Sequence, residues 1–204
     1  MQLTYTQAAR GTGLLLLLAA VTQAIYTVLY TTGADVPRQL LWGTEAILFV
    51  FMAAVAGSAL VQTRDQHLAW SAITAAAVLN VVQVGVGLTM FGPFFEAAAD
   101  VDGLTPAARA VVAFSFMVYN AAKMLLALAL VGFALERLRS GAVVIRWAGA
   151  VTGLVAMLSN AASMTAGRDV FGELPLAGGS GVVATVLLAY FLLTLKDHAS
   201  HTSP

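Results

Sequence analysis

The chain contains no cysteine. That one absence removes disulfides, thiolate metal sites, iron-sulfur clusters and thiol redox chemistry together. Charge is also scarce, at 10% of the 204 residues, and ten Lys+Arg against ten Asp+Glu leave no net charge. No basic run or interleaved basic and aromatic patch is present, which argues against nucleic acid as a partner. Histidine occurs only at His67, His198 and His201. The first falls in a short turn and the other two in the tail, so no pair of imidazoles is available inside a bundle to sandwich a haem. The tail pair has no further ligands nearby to hold a metal. P-loop, dinucleotide and HExxH motifs are missing, and no cofactor or metal is expected. There is no long linker, low-complexity block or clear internal repeat, so residues 1–204 are read as a single domain.

What the sequence does have is apolar bulk. Hydrophobic residues make up 60%, against the roughly 45 to 50% usual for soluble domains. With spans of about 20 residues and short connections, the chain has room for six or at most seven helices. The expected fold is all-α: a polytopic integral membrane protein built as a compact bundle of six transmembrane helices. The spans are read at about 13–30, 40–61, 69–91, 109–135, 145–164 and 180–195.

Arg10 followed by Gly11 to Tyr30 resembles a signal peptide, with Thr32-Gly33-Ala34 as a poor cleavage site. The apolar run exceeds the usual core of roughly 7 to 15 residues, so a retained first span is the better reading. Gly33 to Pro37 turns the chain, since proline fits the first turn of a new helix. Trp42, Trp70 and Trp147 mark expected entries to spans two, three and five, as interfacial anchors. The polar stretch Gln62 to His67 is short enough to make helices two and three antiparallel neighbours. Asn80, Gln83 and Gly87 fall on one stripe of helix three, and Gly92-Pro93 is expected to end it. Phe94 to Gly103 then reads as a connection, and Thr105-Pro106 as the start of helix four. Glu136 to Gly141 closes that helix. Helix five carries Gly149 and Gly153 in a GxxxG pattern that permits close approach, within the molecule or between copies.

One side of this layout collects Arg10, Arg64, Arg137, Arg139, Arg146 and Lys196, whereas Arg38, Arg109 and Arg168 lie on the other within more acidic loops. The excess places both termini in the cytoplasm, in what is expected to be the cytoplasmic membrane of a prokaryote. The loops around Asp100 and Asp169 then face outward.

Chemistry concentrates on the apolar run from Arg109 to Leu135, which carries Tyr119-Asn120-Ala121-Ala122-Lys123 near its middle. An ammonium at that depth costs a few kcal/mol or more, so Lys123 should face a partner or water. Glu45 is the other ionisable group within the spans and its expected countercharge. By helical rise, Glu45 lies about 8 Å below the outer boundary and Lys123 roughly 15 to 20 Å, so contact requires tilt or an upward-reaching stem. The candidate ligand-binding set is Lys123, Glu45, Asn120, Asn80, Gln83, Asn160, Gln23 and Tyr119. Buried polar side chains need partners, and one shared cavity satisfies several at once. The competing role for the amides is interhelical glue, worth about half to two kcal/mol each.

Two short motifs do not develop into sites. Gly178-Gly179-Ser180-Gly181 matches the GxSG string of rhomboid-type intramembrane proteases, but that chemistry needs a later histidine at membrane depth, and only the tail histidines follow. Asp100-Val101-Asp102-Gly103 resembles the start of a calcium loop without its later carboxylate. In size and helix number the layout resembles the substrate-binding subunits of energy-coupling-factor vitamin transporters, a likeness of architecture with no shared motif.

Three functions remain. The first is a binder or transporter of a small, anionic or lipid-like ligand, with a pocket opening to the outer side. The second is a non-catalytic subunit or assembly factor whose polar stripe mates with another membrane protein or a second copy. The third, an intramembrane enzyme, needs a stronger acid-base set than one Glu and one Lys. The bilayer is a partner in all three.

Overall fold

The computed structural model describes residues 3–35, 37–138, 143–167, 169–172, 174 and 176–195. Arg139, Ser140, Gly141, Arg168, Glu173, Pro175, Lys196, His198 and His201, named above, lie outside them. Six long helices account for the described residues: α1 Tyr5–Thr31, α2 Arg38–Gln62, α3 His67–Asp100, α4 Thr105–Leu138, α5 Val143–Ala166 and α6 Leu176–Leu193. All six are long and apolar enough to cross a membrane.

Local chemistry explains the junctions. Pro37 precedes α2, where its missing N–H leaves no intrahelical bond unmade. At the other end Thr63 turns to extended backbone, and its hydroxyl accepts the N–H of Gln66 at 3.1 Å. The Gln66 side chain then donates to the Glu136 carboxylate, which ties the α2–α3 turn to the end of α4. Helices α2 and α3 pack side by side, as the short polar turn requires.

One expected boundary is overturned. Gly92-Pro93 does not end helix three, because α3 continues through Pro93 to Asp100 before a single 3-10 turn at Asp102–Leu104. Phe91, two residues before the proline, meets Trp42 of α2 edge-on at 5.8 Å, and Phe95, two residues after it, meets Phe91 at 6.3 Å. Helices in apolar surroundings tolerate an internal proline when neighbours compensate for the lost bond. The start of α4 at Thr105 agrees with the Thr-Pro signal.

Trp42 and Trp70 lie in the first two turns of α2 and α3, as expected, and both also pack against other rings. Trp70 is fully buried, donates its indole N–H to the Tyr5 hydroxyl at 3.1 Å and meets Phe133 edge-on at 5.6 Å. Trp42 stacks on Tyr26 and lies so close to Gly87 that a Cβ there would come within 2.6 Å of the ring. A large aromatic buries more area in a core than at an interface. Trp147 alone stays exposed.

Each helix packs on its neighbours in chain order, α6 closes back on α1, and α4 also packs on α6. That makes α4 the central element, with more than half of its apolar window buried. The α5 glycines are consumed internally. A Cβ on Gly149 would sit 2.6 Å from the Phe191 ring, and one on Gly153 would sit 2.7 Å from Val131 Cγ2 and 3.0 Å from the Ala127 carbonyl oxygen. The GxxxG pattern therefore seats α5 on α4 and α6. Large apolar side chains such as Leu14, Val21, Phe51, Phe114 and Leu158 face outward around the ring.

Candidate ligand site at the bundle centre

Lys123 sits in the middle of α4 and is 1% exposed. Side chains on a helix lean toward its N-terminus, and the lysine stem follows that direction, with Nζ 5.4 Å from the centre of the Tyr119 ring one turn earlier. The ammonium donates to Gln23 Oε1 of α1 at 2.8 Å and to Thr185 Oγ1 of α6 at 3.4 Å. The stem lies on Gly181, where a Cβ would come within 3.2 Å of Cγ and Cδ. A side chain there would crowd the path by which the charge reaches Gln23.

Glu45 of α2 is also buried. It accepts a hydrogen bond from the Thr22 hydroxyl at 3.1 Å, and the Gln23 side chain and the Lys123 charge both act on its carboxyl. Gln23, whose oxygen faces the ammonium, and Thr22, which bonds the carboxyl, are consecutive residues of α1, so one turn of that helix brings the two charged groups together. Four of the eight candidates, Lys123, Gln23, Glu45 and Tyr119, meet here.

The other four do not join that cluster directly. Asn160 of α5 is fully buried and donates to its own Ala156 carbonyl at 2.7 Å and to the Ala177 carbonyl of α6 at 3.2 Å. Beside it Ser159 and Ser180 share a hydrogen bond at 2.9 Å. Asn80 of α3 is 1% exposed and donates only within its own helix, to Ala76 at 2.8 Å. Asn120 is buried on α4. Gln83 is half-buried and donates to Ser115 of α4 at 3.4 Å, so it links two helices away from the lysine.

Helix register relates these groups. Gln83 meets Ser115 and Gly132 packs on Ala69, so Asn80 lies beside the α4 turn from Val118 to Ala121. Gly149 packs on Ala134 and Gly153 on Val131 and Ala127, so Asn160 lies beside the turn from Asn120 to Lys123. Polar side chains of α3, α4 and α5 thus share a slab of roughly two helical turns, about 11 Å, which Gln23 of α1 and Thr185 of α6 join through the Lys123 ammonium. Inside that slab the Asn80 Oδ1 and Asn160 Oδ1 atoms are buried without a partner, as is the hydroxyl of Ser163 one turn beyond Asn160.

The sequence reading missed Thr22, Thr185, Ser115, Ser159 and Ser180 as partners. A lone Thr or Ser within an apolar helix was the available signal, but such hydroxyls also bond their own helix, as Thr185 does to Gly181 at 2.7 Å. Among the described residues no group of three or more His, Asp or Glu is placed to hold a metal. Comparison with protein-family models, curated proteins and solved structures finds no match for this chain.

Proposed function

We propose that this protein is a multi-pass membrane protein that binds or transports a small, anionic or lipid-like ligand between its helices, with Lys123 as the positive contact. In this reading both termini are cytoplasmic, the pocket opens toward the outer side, and Glu45 exchanges a proton when the ligand binds. The observation that carries it is the pair of unpartnered amide oxygens, Asn80 Oδ1 and Asn160 Oδ1, buried at the level of Lys123. An amide kept only as glue should spend its polar atoms on a neighbouring helix. Asn80 spends its one bond on its own helix and keeps an acceptor in reserve. Leaving such a group unpaired costs about 1 to 3 kcal/mol, which a ligand donor or a water at the site would recover.

A role as a subunit docking through this stripe requires Asn80, Gln83 or Lys123 to face outward. Asn80 and Lys123 are turned inward at 1% exposure and Gln83 is half-buried against Ser115, which favours the ligand reading. The test is thermal stability of the purified protein in detergent against a panel of small carboxylates, organic phosphates and fatty acids. A ligand present at a hundred times its Kd should add about 2.7 kcal/mol of stability. The Lys123→Met protein, still folded, should weaken that ligand about tenfold or more, as loss of a charge-assisted contact implies. An effective ligand that binds Lys123→Met as tightly as wild type, or a panel that gives no shift at all, counts against the proposal.

A further inference from the structure

Helix α6 opens on Leu176-Ala177-Gly178-Gly179. The Leu176 N–H is taken by the Leu174 carbonyl at 2.8 Å, whereas the N–H groups of Ala177 and Gly178 have no earlier turn of helix to accept them. They point out of the start of an 18-residue helix, where the aligned backbone dipoles favour negative charge. A Cβ on Gly178 or Gly179 would meet nothing within 4 Å, so there is open space beside this turn. Hydrogen bonds fix what faces it from α5. Ser159 bonds Ser180 at 2.9 Å and Asn160 donates to the Ala177 carbonyl at 3.2 Å, so these positions of α5 and α6 lie side by side. Ser163 lies one turn further along α5, on the same face as Ser159 and Asn160, and so beside the first turn of α6. Its hydroxyl is buried, at 6% exposure, and has no partner among the described residues. The same holds for Asn160 Oδ1, which shares one planar amide with the nitrogen bonded to Ala177.

We infer that this corner takes a small carboxylate carrying a hydroxyl or an ammonium on the carbon beside it. The carboxylate accepts from the Ala177 and Gly178 N–H groups and from the Ser163 hydroxyl, and the neighbouring donor gives its hydrogen to Asn160 Oδ1. A plain carboxylate leaves that buried oxygen unpaired. Ser180 is already bonded to Ser159, so the Gly-Gly-Ser-Gly string acts here through its backbone and not through a serine nucleophile. Gly178 stands about 4.5 Å of helical rise before Gly181, on which the Lys123 stem lies, so the corner adjoins the lysine layer. The inference rests on the reading of the buried amides as a ligand site and names what that ligand carries.

The full chain, purified in detergent, is titrated with lactate, alanine, propionate and inorganic phosphate, and binding is read from the thermal shift. Lactate, alanine or both are expected to bind about tenfold more tightly than propionate, the scale of one buried hydrogen bond. Ser163→Ala and Gly178→Pro, the second tolerated because proline fits the first turn of a helix, should each weaken the preferred ligand about tenfold. Thr165→Ala, at an exposed position of α5, should bind as wild type does. Asn160→Ala should bring lactate and alanine down to the affinity of propionate. Propionate that binds wild type as tightly as the other two overturns the inference. So do Ser163→Ala and Gly178→Pro proteins with wild-type affinity, and so does a response to phosphate alone, which would mark an adventitious ion only. If organic phosphates or fatty acids bind through Lys123 and none of these carboxylates binds, the inference falls and the ligand reading stands. Preferred binding of lactate or alanine that survives Lys123→Met but not Ser163→Ala would keep this corner and remove the lysine from the ligand.

Discussion

Lys123 has three ammonium hydrogens and three neighbours to meet them: the Gln23 amide oxygen, the Thr185 hydroxyl and the face of Tyr119. Among the described residues no hydrogen bond joins it to a carboxylate; the acid, Glu45, is held by Thr22, the residue before Gln23 on α1. Two charges held on one turn of α1 are interdependent. Removing either alone leaves the other buried without compensation, whereas replacing both with neutral groups of similar shape removes two desolvation costs together. Lys123→Met and Glu45→Gln are each expected to destabilise the folded protein by about 1 to 3 kcal/mol. The double variant should lose less than their sum, by roughly 0.5 to 3 kcal/mol. Denaturant unfolding of the four proteins measures the difference, and strict additivity would mean that the two charges do not interact.

At the scale of the element, α5 shows how a motif acquires one meaning out of two. Gly149 and Gly153 were readable from the chain as a surface for close helix approach, but the partner was not. The partners are Phe191 of α6 and Val131 of α4, in contacts too tight for a Cβ. Gly153→Leu should therefore lower thermal stability by about 1 to 3 kcal/mol or more through overpacking, while the oligomeric state of the purified protein stays that of wild type. Light scattering after size exclusion separates the outcomes: a loss of dimer with unchanged stability would move the motif to an interface between copies. The extension of α3 past Pro93 is the other lesson at this scale. Proline and a preceding glycine are strong local stop signals, yet α3 runs on to Asp100, with ring contacts from Trp42 to Phe91 to Phe95 spanning the proline. The extension lines an open cleft together with Arg109.

For the whole molecule, six membrane-length helices place the two ends of the chain on the same side if each one crosses, and the proposed orientation, read from the arginine distribution, makes that side the cytoplasm. The absence of cysteine makes this directly measurable, because any introduced thiol is the only one present. In intact cells a membrane-impermeant maleimide is expected to label Asp100→Cys, at the end of α3, and to spare Arg64→Cys, in the turn between α2 and α3, until the cells are opened. The reverse pattern would invert the orientation.

The sequence by itself determined the helical membrane class, the number of long helices and the pair of charges within them. Those features follow from composition and from runs of apolar residues, which are local properties of the chain. It also singled out Lys123, because an ammonium deep in an apolar run is conspicuous wherever its neighbours are. Only the tertiary structure decided that Gln23 and Thr185 hold the lysine, that Thr22 holds Glu45, and that Gln83 belongs to Ser115 instead. It also decided that Trp42 and Trp70 are packing residues. The reason is geometric: helix periodicity fixes which residues share a face, whereas the rotation and register of one helix against another are set by side-chain packing across the whole bundle.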